Sequence, residues 1–170
     1  MSKVTNYHKN KGENHIHKPD VRRTPESKQP KSVIAVDPGD AHVGMAIWSK
    51  TRGIQLLRAS EFDADKWLSL FAKLVENVDI VVIEEFRLYP GKAKSQAWSP
   101  MATAEMIGAM KWIAHEAGKP VILQGADIKN PTRRQCKARG LTWKHKSVHA
   151  SDAILHLQHY IIRQELQQEV

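Results

Sequence analysis

Beyond residue 32 the chain alternates short apolar runs with amphipathic stretches, and the spacing of each predicts an element. Residues 33–37 and 42–49 read as two strands joined by a Pro-Gly-Asp turn typical of hairpins, and 54–60 as a third. Residues 61–76 carry Trp67, Leu68, Leu70, Phe71 and Leu74 at helical spacing. Residues 79–84 form a nearly continuous apolar run, as expected of a central strand covered on both faces. A punctuated loop over 87–100 leads to a helix over 101–117 that stops at Gly118, a suitable C-cap. A further strand at 120–124, a basic irregular stretch over 128–146 and a final helix over 149–168 complete the order. Three strands, helix, strand, helix, strand, helix predict an α/β fold: a mixed five-stranded sheet, with an antiparallel hairpin plus parallel strands, flanked by helices.

Residues 1–31 lack this patterning. They hold almost no aliphatic side chains and are rich in Lys, His, Asn and Pro, so they read as a disordered basic N-terminal arm. The expected division is therefore an arm over 1–31 and one folded domain over 32–170. The arm carries eight Lys and Arg against three acidic residues, most of the chain's formal net charge of +8. That balance favours a polyanionic partner, although lysine-rich solubility would produce the same number. A single cysteine, Cys136, excludes an intrachain disulfide and suits a reducing compartment. No apolar stretch approaches the roughly 20 residues of a membrane span, and the polar N-terminus lacks the core of a signal peptide. The expected setting is the cytoplasm, with no membrane partner.

The chemistry concentrates at the ends of the predicted strands. Asp37 closes the first apolar run and Glu84 the fourth. On neighbouring parallel strands their carboxylates emerge at one edge, where ligands collect in open α/β sheets. His149 and Asp152 lie three apart at the start of the last helix, on the same side as one another. Such a cluster suits divalent ions. Each residue also has an ordinary reading. An Asp before Pro-Gly caps a turn, an isolated His is often structural, and an acid near a helix N-terminus is favoured by the macrodipole. Glu84 and Glu85 compete, since alternation sends one to the site and the other away.

The stretch Ile34-Ala-Val-Asp-Pro-Gly-Asp-Ala-His-Val-Gly44 resembles the first-strand motif of RuvC-type Holliday junction resolvases, in which Asp-Pro-Gly is followed by another Gly. Val82-Ile-Glu-Glu-Phe86 resembles the second motif, and Val148-His-Ala-Ser-Asp-Ala153 the last. The three occur in the family's order across 33–162. The segments from Phe86 to Trp98 and from Lys129-Asn-Pro-Thr to His149 resemble its bacteriophage-encoded branch.

This resemblance implies a ribonuclease H-like fold and a Mg²⁺- or Mn²⁺-dependent, structure-selective DNA endonuclease acting on four-way junctions and other branched DNA. It assigns Asp37, Glu84, His149 and Asp152 as catalytic metal ligands, with Glu84 preferred over Glu85. The implied chemistry is two-metal hydrolysis, with two ions per site roughly 3.5–4 Å apart bridged by Asp37. The implied products carry a 5′-phosphate and a 3′-hydroxyl. Gly39 and Gly44 would let the hairpin approach a phosphate. DNA contacts are expected from Lys129, Arg133, Arg134, Lys144 and Lys146, and from the aromatics Phe86 and Tyr89 stacking on unpaired bases. His156 and His159 read as surface or phosphate-contacting residues. Relatives act as homodimers, which makes Met101, Ala104, Gly108 and Trp112 either interface or core. The setting would be recombination, repair or debranching of phage DNA in the bacterial host cytoplasm. Two alternatives remain: a flap or RNA–DNA hybrid nuclease on this fold, and a noncatalytic branched-DNA binding protein.

Overall fold

The computed structural model describes residues 30–51, 54–63, 66–87 and 102–167. Five strands, β1 (Ser32–Pro38), β2 (His42–Thr51), β3 (Ile54–Asp63), β4 (Ile80–Glu84) and β5 (Val121–Gln124), form one sheet in the order β3-β2-β1-β4-β5. The first three strands meander antiparallel, whereas β4 and β5 run parallel to β1. The described helices are α1 (Trp67–Glu76), α2 (Ala102–Glu116), α3 (Lys129–Arg139) and α4 (Val148–Leu166). No described helix is long and apolar enough to cross a membrane.

Alternation along the central strands sorts their side chains into two layers. Ile34, Val36, Val81 and Ile83 pack with Phe71 and Val75 of α1 and with Met106, Ile107 and Met110 of α2. Val33, Ala35 and Val82 face the other way, onto Ala153, Ile154, Leu157 and Tyr160 of α4. The β1 residues Val33 to Val36 are wholly covered, which explains why that run is apolar without a break. Extending the same alternation, Asp37 and Glu84 fall on the α4 face. The register pairs Val36 with Ile83, so the two carboxylates follow one step later on adjacent strand ends.

Two local features set the approach of α4. Ser147 has extended backbone angles and caps the helix, its hydroxyl oxygen accepting from the Ala150 N–H at 3.1 Å. A Cβ at Gly44 would overlap the backbone of His149 and Ala150, so only glycine lets β2 and the start of α4 meet. Gly39 likewise lies against the His149 ring, with a Cβ there only 2.7 Å from Cε1. The room these glycines leave is taken up by the start of α4.

Three expectations need correction. Residues 61–63 are not helical: the β2–β3 ladder runs on to His42 opposite Asp63, and the helix starts at Trp67. The stretch 128–146 is not irregular throughout, since Lys129–Arg139 is α3, preceded by a 3-10 turn over Ala126–Ile128. Its Arg and Lys residues are good helix formers, and Pro131 falls in the first turn, where no N–H is required. Thr132 and Cys136, four apart, supply its buried side; so thin a stripe among charges escapes a search for hydrophobic periodicity. The third correction concerns His156 and is taken up with the site.

On α2, Met106, Ile107, Met110 and Ala114 are buried, whereas Gly108 is exposed and Trp112 is 64% exposed. Gly118 ends the segment at φ +66°. Core packing is therefore not what Gly108 and Trp112 do; Ala104 is half-buried, and Met101 lies outside the described residues.

Candidate metal centre

Asp37, Glu84, His149 and Asp152 converge at the C-terminal edge of β1 and β4, under the first turns of α4. Asp37 is 5% exposed, and its Oδ2 lies 2.7 Å from His149 Nδ1. Its other oxygen lies 3.2 Å from the ammonium of Lys129. The same ammonium lies 2.6 Å from Glu84 Oε2 and 2.7 Å from Asp152 Oδ2. Three carboxylates from three elements thus point at one cation-sized position, and a lysine from the first turn of α3 supplies the positive charge there. Glu85 leaves this arrangement, pairing with Arg87 at 2.6 Å. Strand alternation therefore puts Glu84 in the cluster and Glu85 outside it.

His156 is the residue that sequence reasoning misplaced. It is fully buried, not at the surface, with Nε2 2.9 Å from Glu84 Oε2 and Nδ1 2.9 Å from Gln124 Oε1. His149, Asp152 and His156 follow at i, i+3 and i+7, one stripe of a helix, so the spacing carried the signal. His159 is half-buried, 3.1 Å from Thr132 Oγ1, whose hydroxyl donates to the Ile128 carbonyl.

Burial and the adjacent Glu84 push the Asp37 carboxyl up to about 7, against the pull of Lys129 and His149. Burial would raise Glu84 as well, but hydrogen bonds with His156, Asp37 and Lys129 hold it well below the usual carboxylate range. Near neutral pH the proton therefore favours Asp37, while Glu84 stays ionised. Burial disfavours the Lys129 ammonium, yet Asp37, Asp152 and Glu84 together hold its pKa above the usual lysine value.

The donor set fits a hard divalent cation. Asp37, Glu84 and His156 offer ligand atoms all within 4.8 Å of one another, and Asp152 and His149 border them. Oxygen donors dominate, which suits Mg²⁺ or Mn²⁺.

The basic residues run away from this point along α3. Lys129, Arg133 and Lys137 recur every fourth residue, in a row beside the buried Thr132 and Cys136. Arg133 lies over the Trp143 ring at 5.1 Å, and Lys144 lies over the same ring at 5.0 Å. Arg134, Lys144 and Lys146 are exposed. Lys129 differs from the rest in standing inside the carboxylate cluster. Phe86 is half-buried against the core layer of α1 and α2, and Tyr89 lies outside the described residues.

No protein-family model and no curated protein matches the sequence. Solved structures do match. Thermus thermophilus RuvC superposes with a TM-score of 0.54 at 18% identity, over 79% of this chain and 96% of that one. The structure of T. thermophilus RuvC in complex with Holliday junction substrate gives 0.55 at the same identity and coverage. The fowlpox virus Holliday junction resolvase gives 0.53 at 14% identity, over 78% of this chain and 99% of that one. The fold is ribonuclease H-like. Its mixed five-stranded sheet flanked by helices is the architecture shared with these neighbours.

Proposed function

We propose that this protein is a divalent-metal-dependent endonuclease that cuts branched DNA, with four-way Holliday junctions as its substrate. The observation that carries the reading is the meeting of Asp37, Glu84 and Asp152 around one cation position, at the start of a helix whose Lys129, Arg133 and Lys137 form a basic row. The fold likeness to resolvases, two of them solved in complex with Holliday junction DNA, agrees with it.

Asp37, Glu84 and Asp152 would hold Mg²⁺ or Mn²⁺, two ions by the family resemblance, with His149 beside them. Bound there, the metal supplies Lewis-acid stabilisation of the phosphate and an acidified water. The chain's own groups do the rest. Asp37 receives the His149 imidazole at Nδ1, which fixes the ring beside the carboxylates. Lys129, on moving out of the cluster, offers an ammonium to a phosphate oxygen at the same edge. Arg133, Arg134, Lys144 and Lys146 would track the backbone of an arm through charge, without reading sequence.

The family resemblance extends the proposal to a homodimer of bacteriophage type working in the host cytoplasm. Two copies related by a two-fold axis would match a junction of near two-fold symmetry. The outward Trp112 and Gly108 of α2 are the surface offered for that contact.

The test is a panel of labelled four-way junction, flap, duplex and RNA–DNA hybrid, each with Mg²⁺ or EDTA. Paired symmetric nicks in the junction alone are the expected result. Preferential cutting of flap or hybrid would move the substrate while keeping the metal site. Tight junction binding with no cutting of any substrate would make this a binding protein.

A further inference from the structure

We infer that His156 is a positioning residue of the metal site: it fixes the Glu84 carboxylate through Nε2–H, and Gln124 fixes the imidazole in turn. This rests on the metal-dependent reading above and deepens it by adding the pair that sets one ligand's geometry.

The arrangement follows from the register. Glu84 and Gln124 are directly paired at the ends of β4 and β5. The His156 ring lies over both, one turn of α4 beyond Asp152, and bonds to each at 2.9 Å. An ionised carboxylate only accepts, so Nε2 carries the proton in any tautomer consistent with the Glu84 bond. Nδ1 meets the Gln124 amide, which can turn either its oxygen or its nitrogen to the ring. Both nitrogens of a wholly buried imidazole are thereby satisfied, a condition that apolar packing alone would not impose.

Metal coordination would require something else of this residue. As a ligand, Nε2 would have to give up its proton and with it the bond to Glu84. As a positioning group it keeps both, and the oxygen it holds, Oε2, is the one that also faces Lys129. The rotation of the carboxylate is then set before an ion arrives. Outer hydrogen bonds of this type are worth about 10–100-fold in metal affinity.

The decisive comparison is His156→Leu against His156→Gln, because the glutamine amide can still present an N–H to Glu84. Mn²⁺ binding to the DNA-free protein is followed by electron paramagnetic resonance of the free ion, with folding checked by circular dichroism. His156→Leu is expected to weaken Mn²⁺ binding at least about 10-fold, and His156→Gln to stay within about 3-fold of wild type. Gln124→Leu, which removes the brace but leaves the imidazole, is expected to fall between them. Pulsed resonance of the bound Mn²⁺ should show no nitrogen coupling that disappears in His156→Gln. Loss of such a coupling, with affinity as poor as in His156→Leu, makes His156 a ligand and overturns the inference. Unchanged affinity in His156→Leu overturns it as well. If His156→Leu does not fold, unchanged affinity in Gln124→Leu does so. Asp37→Asn is the reference: binding as tight as wild type in that variant would sink the metal reading itself, and this inference with it.

Discussion

The ammonium of Lys129 lies 2.6 Å from Glu84 Oε2, and it is nearly as close to Asp152 and Asp37. Three buried or half-buried carboxylates would repel one another without a cation, and here the chain supplies one of its own. A divalent ion entering the same position must displace it.

Lys129→Met should therefore tighten metal binding in the absence of DNA, by about 10-fold, because one positive charge no longer competes for the acids. It should also lower the stability of the metal-free protein by about 2–4 kcal/mol, since the acids are left without their partner. Mn²⁺ titration and urea denaturation, each with and without metal, measure both effects. Weaker metal binding in the variant would contradict the assignment of Lys129 as a competitor.

The raised Asp37 carboxyl gives a definite pH dependence. The folded pKa of Asp37 is raised to about 7 from an unfolded value near 4. Between those values the folded chain keeps a proton that the unfolded chain has lost. Stability from this group is thus fully present at low pH and lost as pH rises from about 4 through about 7. Metal must expel the same proton, so affinity should fall about tenfold per unit below pH 7. Denaturation of the metal-free protein at pH 5 and pH 8 should show the loss in wild type and a flatter profile in Asp37→Asn. Equal profiles in the two proteins would remove Asp37 as the source.

Gly44→Ala should be among the most damaging single-methyl changes in the chain. The added Cβ meets backbone atoms of His149 and Ala150, which cannot rotate out of the way. A loss of about 2–3 kcal/mol is expected, together with poorer metal binding as α4 shifts. Chemical denaturation with Mn²⁺ titration checks both, and wild-type values for both would contradict the close packing.

Ser147→Ala removes the N-cap of α4. The expected cost is about 1 kcal/mol. Because the cap fixes the turn that carries His149, cleavage should fall more than thermal stability does. A proportionate change in both would assign the cap to folding alone.

The fold was legible because its strands are nearly pure apolar runs and the site acids stand at their ends. Val33 to Val36 and Val81 to Ile83 could be read as central strands, and Asp37 and Glu84 as their tips. Periodicity alone could not choose Glu84 over Glu85, because an unbroken apolar run does not reveal the phase of β4; the match to the family motif made that choice. Helix α3 was hidden because only Thr132 and Cys136 among its charges face inward. The same gap hid the carboxylate contacts of Lys129 from periodicity, although the family resemblance matches it to a lysine near the cleavage site. His156 was hidden for another reason: a histidine embedded in an apolar helix is common, and what distinguishes this one is the paired strand end at Glu84 and Gln124.

The central claim is that Asp37, Glu84 and Asp152 form a metal-dependent phosphodiester-cleaving site. Single-turnover cleavage of a labelled four-way junction, comparing wild type with Asp37→Asn and with binding measured in parallel, tests it most directly. The account predicts Mg²⁺-dependent paired nicks for wild type, and at least a 10³-fold loss in Asp37→Asn, on the order of 4 kcal/mol of transition-state stabilisation, with binding retained. Cleavage by Asp37→Asn at the wild-type rate, or wild-type cleavage undiminished in EDTA, would contradict it.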